Sequence, residues 1–401
     1  MHTVSNRIKA AAICNERIHQ FYFLSRYAER RAAPGICDFT FGNPHEMPLG
    51  KLVEAIRRHA IPRNKDWFAY KTSEAEPRAF LAERLSQELS LPFEPEDVAL
   101  TNGAFAAISV AFRLLLDVAD EAIFSTPAWF SYEPMLLTAD AAPRKVPLRA
   151  KSFDLDLEAI DAAITPRTRL VIVNTPHNPT GRIYTNETLA ALAKMLDRAS
   201  GRIGRRIFLL SDEPYRRIRF DGGGFVSPAQ IYPWTVVTYS YAKVLLAPGE
   251  RLGYLAVSPR MPWEERQAIR NHMSAAQVAL GWCFPNAIMQ YALPDLEGLS
   301  IDLASLTAKR DRLAGALEKA GYEVLWPEGT FYLFSKCPGD DQDRFWNVLA
   351  DRDVFVIPGS TMDAPGHFRI CLTASKEMVE RSLPVFAEVA ELMRKERAPT
   401  S

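Results

Sequence analysis

Short apolar, β-branched runs alternate with longer stretches of helical period through the middle of the chain. The runs at 98–101, 122–125, 144–148, 170–174, 207–211, 236–239 and 252–257 predict strands. Between several of them, apolar residues recur at three- and four-residue spacing, over 104–118 and 187–199 for example, which predicts helices. Strand–helix alternation of this kind indicates a mostly parallel sheet covered on both faces, with ligands gathered at the carboxyl ends of the strands. Beyond residue 293 the pattern changes to a long polar helix over 303–320, short strand-like runs at 332–335, 354–357 and 368–372, and a closing helix over 376–394. The expected fold is α/β. A large domain over 43–293 carries a seven-stranded, mostly parallel sheet between helices. A smaller α+β domain combines 294–401 with the N-terminal arm 1–42, which packs there or on a partner subunit.

Composition narrows the function. A chain of 401 residues with 48% hydrophobic side chains suits two domains and a large core. The 48 basic and 48 acidic side chains balance, so neither a nucleic acid nor an acidic membrane is an expected partner. The local basic cluster Arg216-Arg217-Ile218-Arg219 reads as a solvated loop face. The five cysteines are odd in number, widely spaced and without a C-x-x-C pair, which predicts a reducing compartment, no disulfide framework and no metal site. No apolar run approaches a membrane span, and the N-terminal apolar patch is broken by Glu16 and Arg17, unlike a signal peptide. A cytoplasmic location is expected. Dinucleotide and phosphate-loop motifs are missing from the sequence.

The candidate chemistry lies at the predicted strand ends. Lys243 follows an apolar strand in a segment poor in other charges, where a free amine can form an imine with an aldehyde cofactor and later carry a proton. Ser240 and Arg251 are placed to hold a phosphate nearby. Asp212 ends the run Ile207-Phe208-Leu209-Leu210-Ser211, where a carboxylate needs a partner; an arginine would serve, and so would the protonated ring nitrogen of pyridoxal phosphate. Tyr215 and Asn178 can reach the ring oxygen of that cofactor. Thr101-Asn102-Gly103-Ala104-Phe105 ends a strand and opens a helix. Asn102 can cap it, and the amides of Gly103, Ala104 and Phe105 form an anion site at its N-terminus or simply an ordinary helix start. Trp129 can stack on a flat heterocycle or pack in the core, and Phe130 reads more as core. His177, with no carboxylate at a useful spacing, reads as a turn residue. Arg369, a charge within a strand-like apolar run, requires an anion, either a structural carboxylate or that of a substrate.

Together these residues resemble the class I/II aminotransferases, pyridoxal-phosphate enzymes of fold type I, over most of the chain from Gly42-Asn43-Pro44 to Arg369. The resemblance implies an aminotransferase that moves the amino group of an L-amino acid to a 2-oxo acid through pyridoxamine phosphate. In it Lys243 binds the cofactor and moves the proton. Asp212, Tyr215 and Asn178 hold the ring, and Trp129 stacks on it. Ser240, Arg251 and the amides of Gly103, Ala104 and Phe105 hold the phosphate. Arg369 binds the substrate α-carboxylate and Gly42 lines the substrate pocket. Tyr70 reaches the phosphate of the neighbouring subunit, implying a homodimer with shared sites. Departures from the family pattern are Ala242 and Phe105, where serine and threonine are common, and Ala75 and Ala79-Phe80 after Tyr70. Lyases, decarboxylases, racemases and oxidases share the fold and the cofactor and form the alternative class. A DNA-binding regulator is disfavoured by the short segment ahead of Gly42. For a dicarboxylate substrate, Arg63, Arg216 and Arg219 are candidate second arginines. Phe41, Trp67, Phe68 and Tyr132 are candidate mouth aromatics for an apolar side chain, or core.

Overall fold

The apolar runs assemble into one sheet whose two faces are both buried. Labelled in chain order, β1 is Val98–Thr101, β2 Glu121–Thr126, β3 Ala142–Pro147, β4 Thr168–Asn174, β5 Phe208–Asp212, β6 Thr235–Ser240 and β7 Gly253–Val257. Their order in the sheet is β1-β7-β6-β5-β4-β2-β3. Neighbours are parallel except for β7, which is antiparallel to β1 and β6. The computed structural model describes residues 3–220, 222–339 and 341–397.

The period of two along each strand decides which cluster a side chain joins. Val236 of β6 meets Leu255 and Val257 of β7 in one core, with helices Gly103–Leu115, Asn186–Ile203 and Trp263–Ala279. Val237 and Tyr239 meet Tyr254 and Ala256 in the other, with helices Gly50–His59, Ala75–Leu89 and Ala287–Leu296. Fully buried side chains such as Phe112 and Leu196 each contribute roughly 1.5–3 kcal/mol through the water they exclude.

A second, antiparallel sheet has the order β10-β11-β9-β8, where β8 is Val324–Leu325, β9 Tyr332–Lys336, β10 Ile357–Pro358 and β11 His367–Cys371. Helices Leu303–Lys319 and Lys376–Arg397 enclose its core through Leu313, Leu317, Phe386 and Val389. The predicted strand at 354–357 is split. Val354–Phe355 pairs in parallel with Cys37–Asp38, whereas Ile357–Pro358 pairs with β11. Between them the Val356 carbonyl accepts from the Trp346 indole at 3.0 Å instead of a ladder donor. The N-terminal arm packs on this C-terminal part: Phe21, Tyr27 and Ile36 share a core with Phe334, Phe355 and Ile357.

The basic cluster after β5 is not a solvated face. Arg216 is 2% exposed, pairs with Glu88 at 2.9 Å and Glu213 at 3.3 Å, and lies over the Tyr239 ring. Arg217 pairs with Glu88 at 2.9 Å and also with Glu297. These carboxylates come from distant helices and neutralise the arginines inside the packed layer, where an unpaired charge would be costly.

Candidate active site

Parallel register brings the polar strand ends together. Asn174, Asp212 and Ser240 are the last residues of β4, β5 and β6; Asn174 lies opposite Asp212, and Asp212 opposite Thr238. Beyond these ends opens a cavity of about 240 Å³, lined also by Trp129, Asn178, Tyr215, Lys243, Arg251 and Arg369.

Asp212 is buried with its carboxylate held on both oxygens. The Tyr132 hydroxyl donates to Oδ2 at 2.5 Å and the Thr238 hydroxyl to Oδ1 at 3.0 Å. Asn174 braces it, donating to the Asp212 carbonyl at 2.8 Å while its own Oδ1 accepts the Asn178 amide at 2.7 Å. Burial pushes the Asp212 carboxyl up to about 6, against the two hydroxyl donors, which favour the ionised form. Such a carboxylate is poised for a cationic N–H. The arginine partner considered from sequence is not present among the described residues.

Lys243 sits one residue beyond Tyr241-Ala242 in the short helix Tyr241–Val244. Its ammonium lies 5.8 Å from the ring centres of Tyr215 and Phe331 and makes no ion pair among the described residues. Burial draws its pKa down to about 8, and the Arg369 and Arg251 charges act in the same sense. A substantial neutral fraction follows near neutral pH, as a nucleophilic amine requires.

One end of the cavity is built for an anion. Helix Gly103–Leu115 begins there, and Asn102 makes no side-chain cap, contrary to expectation, so its first amides remain available. Arg251 donates to the Pro248 carbonyl at 2.8 Å and has no carboxylate partner among the described residues; burial alone shifts its pKa, downward. The Ser240 hydroxyl accepts from the Ala242 amide at 3.3 Å and keeps its proton to donate. Gly103 stands behind this end at φ +80°, and a Cβ there would lie 2.7 Å from Arg251 Nη2. Gly103→Ala is therefore expected to displace the guanidinium and weaken phosphate-bearing ligands ~10-fold, with backbone strain of about 1–2 kcal/mol. Titration with such a ligand, alongside thermal melting, checks this; unchanged affinity would remove Arg251 from the anion site.

A second buried cation faces the cavity from β11. Arg369 is 2% exposed; Nη1 donates to Asn178 Oδ1 at 2.8 Å and Nη2 to the Thr40 carbonyl at 3.0 Å. Its guanidinium lies 3.9 Å from the Tyr332 ring centre, and Nε has no hydrogen-bond partner. Among the described residues no carboxylate pairs with it, so a buried positive charge is left for a ligand to neutralise. The Tyr215 and Tyr332 hydroxyls are 3.2 Å apart beside it. Gly42 completes this wall, where a Cβ would strike the Phe331 ring at 2.7 Å.

Comparison with known proteins agrees with this arrangement. The family model "Aminotransferase class I and II" matches residues 34–385. The chain belongs to the class I and II aminotransferases. It is 31% identical over 374 residues to the aspartate/prephenate aminotransferase of Thermus thermophilus, covering 90% of this chain and 92% of the relative. It is 29% identical to the aspartate aminotransferase of Thermotoga maritima, covering 87% and 89%. Among solved structures, an aminotransferase from Eubacterium rectale superposes with a TM-score of 0.86 at 30% identity, covering 94% of this chain and 98% of that one. The Thermus thermophilus aspartate aminotransferase with maleate gives 0.81 at 27%, covering 97% and 100%.

The aminotransferase cavity gathers Gly42, Ala104, Phe105, Trp129, Asn178, Asp212, Tyr215, Ser240, Lys243, Arg251 and Arg369. Tyr70 is not among its lining residues. It is 92% exposed, edge-on to Trp282. Of the mouth aromatics only Phe41 lines the cavity. Trp67 is buried against Tyr291, Phe68 faces outward, and Tyr132 lies beneath, holding Asp212. Arg63, Arg216 and Arg219 do not line the cavity. His177 is buried with Nδ1 2.8 Å from the Thr180 hydroxyl, and burial lowers its pKa to about 3, consistent with a neutral turn residue. Sequence reasoning missed Tyr132, Thr238 and Asn174 as the support of Asp212, and Tyr332 beside Arg369. Alternation along β6 pointed to Thr238, two residues before Ser240, whereas nothing local marked Tyr332.

Proposed function

We propose that this aminotransferase uses pyridoxal 5′-phosphate to move the amino group of an L-amino acid to a 2-oxo acid, working as a homodimer in the cytoplasm. The observation that carries the reading is the pair of buried arginines, Arg251 and Arg369, left without carboxylate partners around a cavity that also holds Lys243 and Asp212. Two anions are wanted there, and a phosphorylated cofactor and an amino-acid carboxylate supply them. When bound, the cofactor supplies an aldehyde that accepts the amino group and a ring that withdraws electrons.

Each side chain then has a task. Asp212, held by Tyr132 and Thr238, keeps the ring nitrogen protonated. Tyr215 and Asn178 meet the ring oxygen, and Trp129 offers its face. Arg251, Ser240 and the amides of Gly103, Ala104 and Phe105 hold the phosphate. Arg369 fixes the substrate carboxylate, which orients the α-carbon toward Lys243, whose neutral amine removes and returns the α-proton. Tyr70, fully turned outward beside Trp282, is placed to reach a neighbouring copy. The relatives named above are aminotransferases, which favours transfer over the lyase, decarboxylase or oxidase alternatives. No helix of the described residues is long and apolar enough to cross a membrane.

The apo-protein is expected to capture pyridoxal phosphate faster as pH rises, levelling off above about 8. The neutral amine is the nucleophile, and at pH 7 roughly a tenth of Lys243 is neutral, against well under a thousandth for an ordinary lysine. Stopped-flow growth of the visible absorbance across a pH series tests this. A rate still climbing at pH 10 would return Lys243 to an ordinary lysine and contradict the assignment.

A further inference from the structure

We infer that the substrate side-chain subsite takes an uncharged, apolar or aromatic side chain rather than a second carboxylate, and that Phe105 sets this preference. The inference rests on the cofactor-dependent reading above. The lining holds three cationic side chains, Lys243, Arg251 and Arg369, and each is already engaged: the amine, the phosphate end and the α-carboxylate. The remaining wall is made largely of Phe41, Phe105, Ile108, Trp129 and Phe130.

Phe105 carries the argument furthest. It sits in the first turn of helix Gly103–Leu115, next to the anion end, yet remains 46% exposed. Its ring meets Trp129 edge-on at 4.9 Å and 83°. A half-exposed phenylalanine here adds little to the core but presents an apolar edge to whatever enters. Phe41 is braced from behind by Tyr22 at 5.4 Å and Tyr27 at 6.1 Å, so that wall is preformed. A second carboxylate would meet this aromatic surface and the negative Asp212 with no cation of the lining left to pair with it, a heavy penalty for a desolvated charge. Arg63 lies over Trp67, and Arg216 is locked between Glu88 and Glu213. The aspartate activity in the relatives' names therefore does not carry over.

The test uses the full-length protein reconstituted with pyridoxal phosphate. Phenylalanine, leucine, aspartate and glutamate are each supplied without an acceptor, and conversion of the cofactor is followed by absorbance. The expected second-order rate constant for phenylalanine or leucine exceeds that for aspartate by ~100-fold or more. Phe105→Lys should raise the aspartate rate ~10-fold or more and lower that of phenylalanine. Phe105→Ala should lower the phenylalanine rate, mainly through KM, and leave aspartate unchanged; cofactor affinity measured in parallel reports that the site has survived. Aspartate matching or exceeding phenylalanine in the unmodified protein, whether through a cation from a second copy or otherwise, overturns the inference while sparing the cofactor reading. Cofactor binding with no conversion by any amino acid overturns the underlying reading and this one with it.

Discussion

Replacing Lys243 by alanine is expected to abolish amino-group transfer, lowering turnover by ~10⁵-fold or more, while the protein stays folded. The alanine keeps the short helix Tyr241–Val244 and removes an amine that makes no ion pair among the described residues. The sign of the stability change can also be stated. Burial lowers the amine's pKa to about 8, below that of an unfolded lysine. Between about 8 and the ordinary lysine value the unfolded chain binds more protons, so stability rises with pH through that window, and at neutral pH the buried ammonium is a net burden. The variant should melt at or above the parent near pH 7. Retained turnover would sink the lysine assignment. A collapsed melting temperature would show instead that Lys243 is structural.

The second large effect is expected at Asp212. Asp212→Asn preserves size but places an amide against the Tyr132 and Thr238 hydroxyls, which both donate to the carboxylate. The ring nitrogen then loses the negative charge that keeps it protonated, and activity should fall ~10³-fold or more, in kcat and kcat/KM alike. Steady-state kinetics with a fixed amino acid and oxo acid measures it. A loss of less than ~10-fold would mean that the ring nitrogen is held in another way.

The large sheet was legible because its strands are apolar on both faces and each ends abruptly in a polar residue. Asn174, Asp212 and Ser240 mark those ends, and parallel register alone brings them side by side. Lys243, Arg251 and Arg369 stood out as charges in apolar surroundings, and the fold gathers them at one cavity. What escaped depends on contacts between residues far apart in the chain. Tyr132 looked like a mouth aromatic, yet it is buried under β5 with its hydroxyl on Asp212, eighty positions away. Arg216 looked solvated because Glu88 lies 128 residues upstream. The run at 354–357 looked like one strand because nothing local shows that Trp346 claims the Val356 carbonyl between two sheets. Tyr70, exposed in a single chain, has its expected role only where a second copy approaches.

The central claim is transfer itself, and the half-reaction tests it most directly. The protein reconstituted with pyridoxal phosphate is given one amino acid and no acceptor, and cofactor absorbance and released 2-oxo acid are measured together. The account predicts conversion of the cofactor to its aminated form with one oxo acid released per site, reversed when a different 2-oxo acid is added. Release of carbon dioxide or ammonia without the aminated form, or no spectral change at all with the cofactor bound, would contradict it.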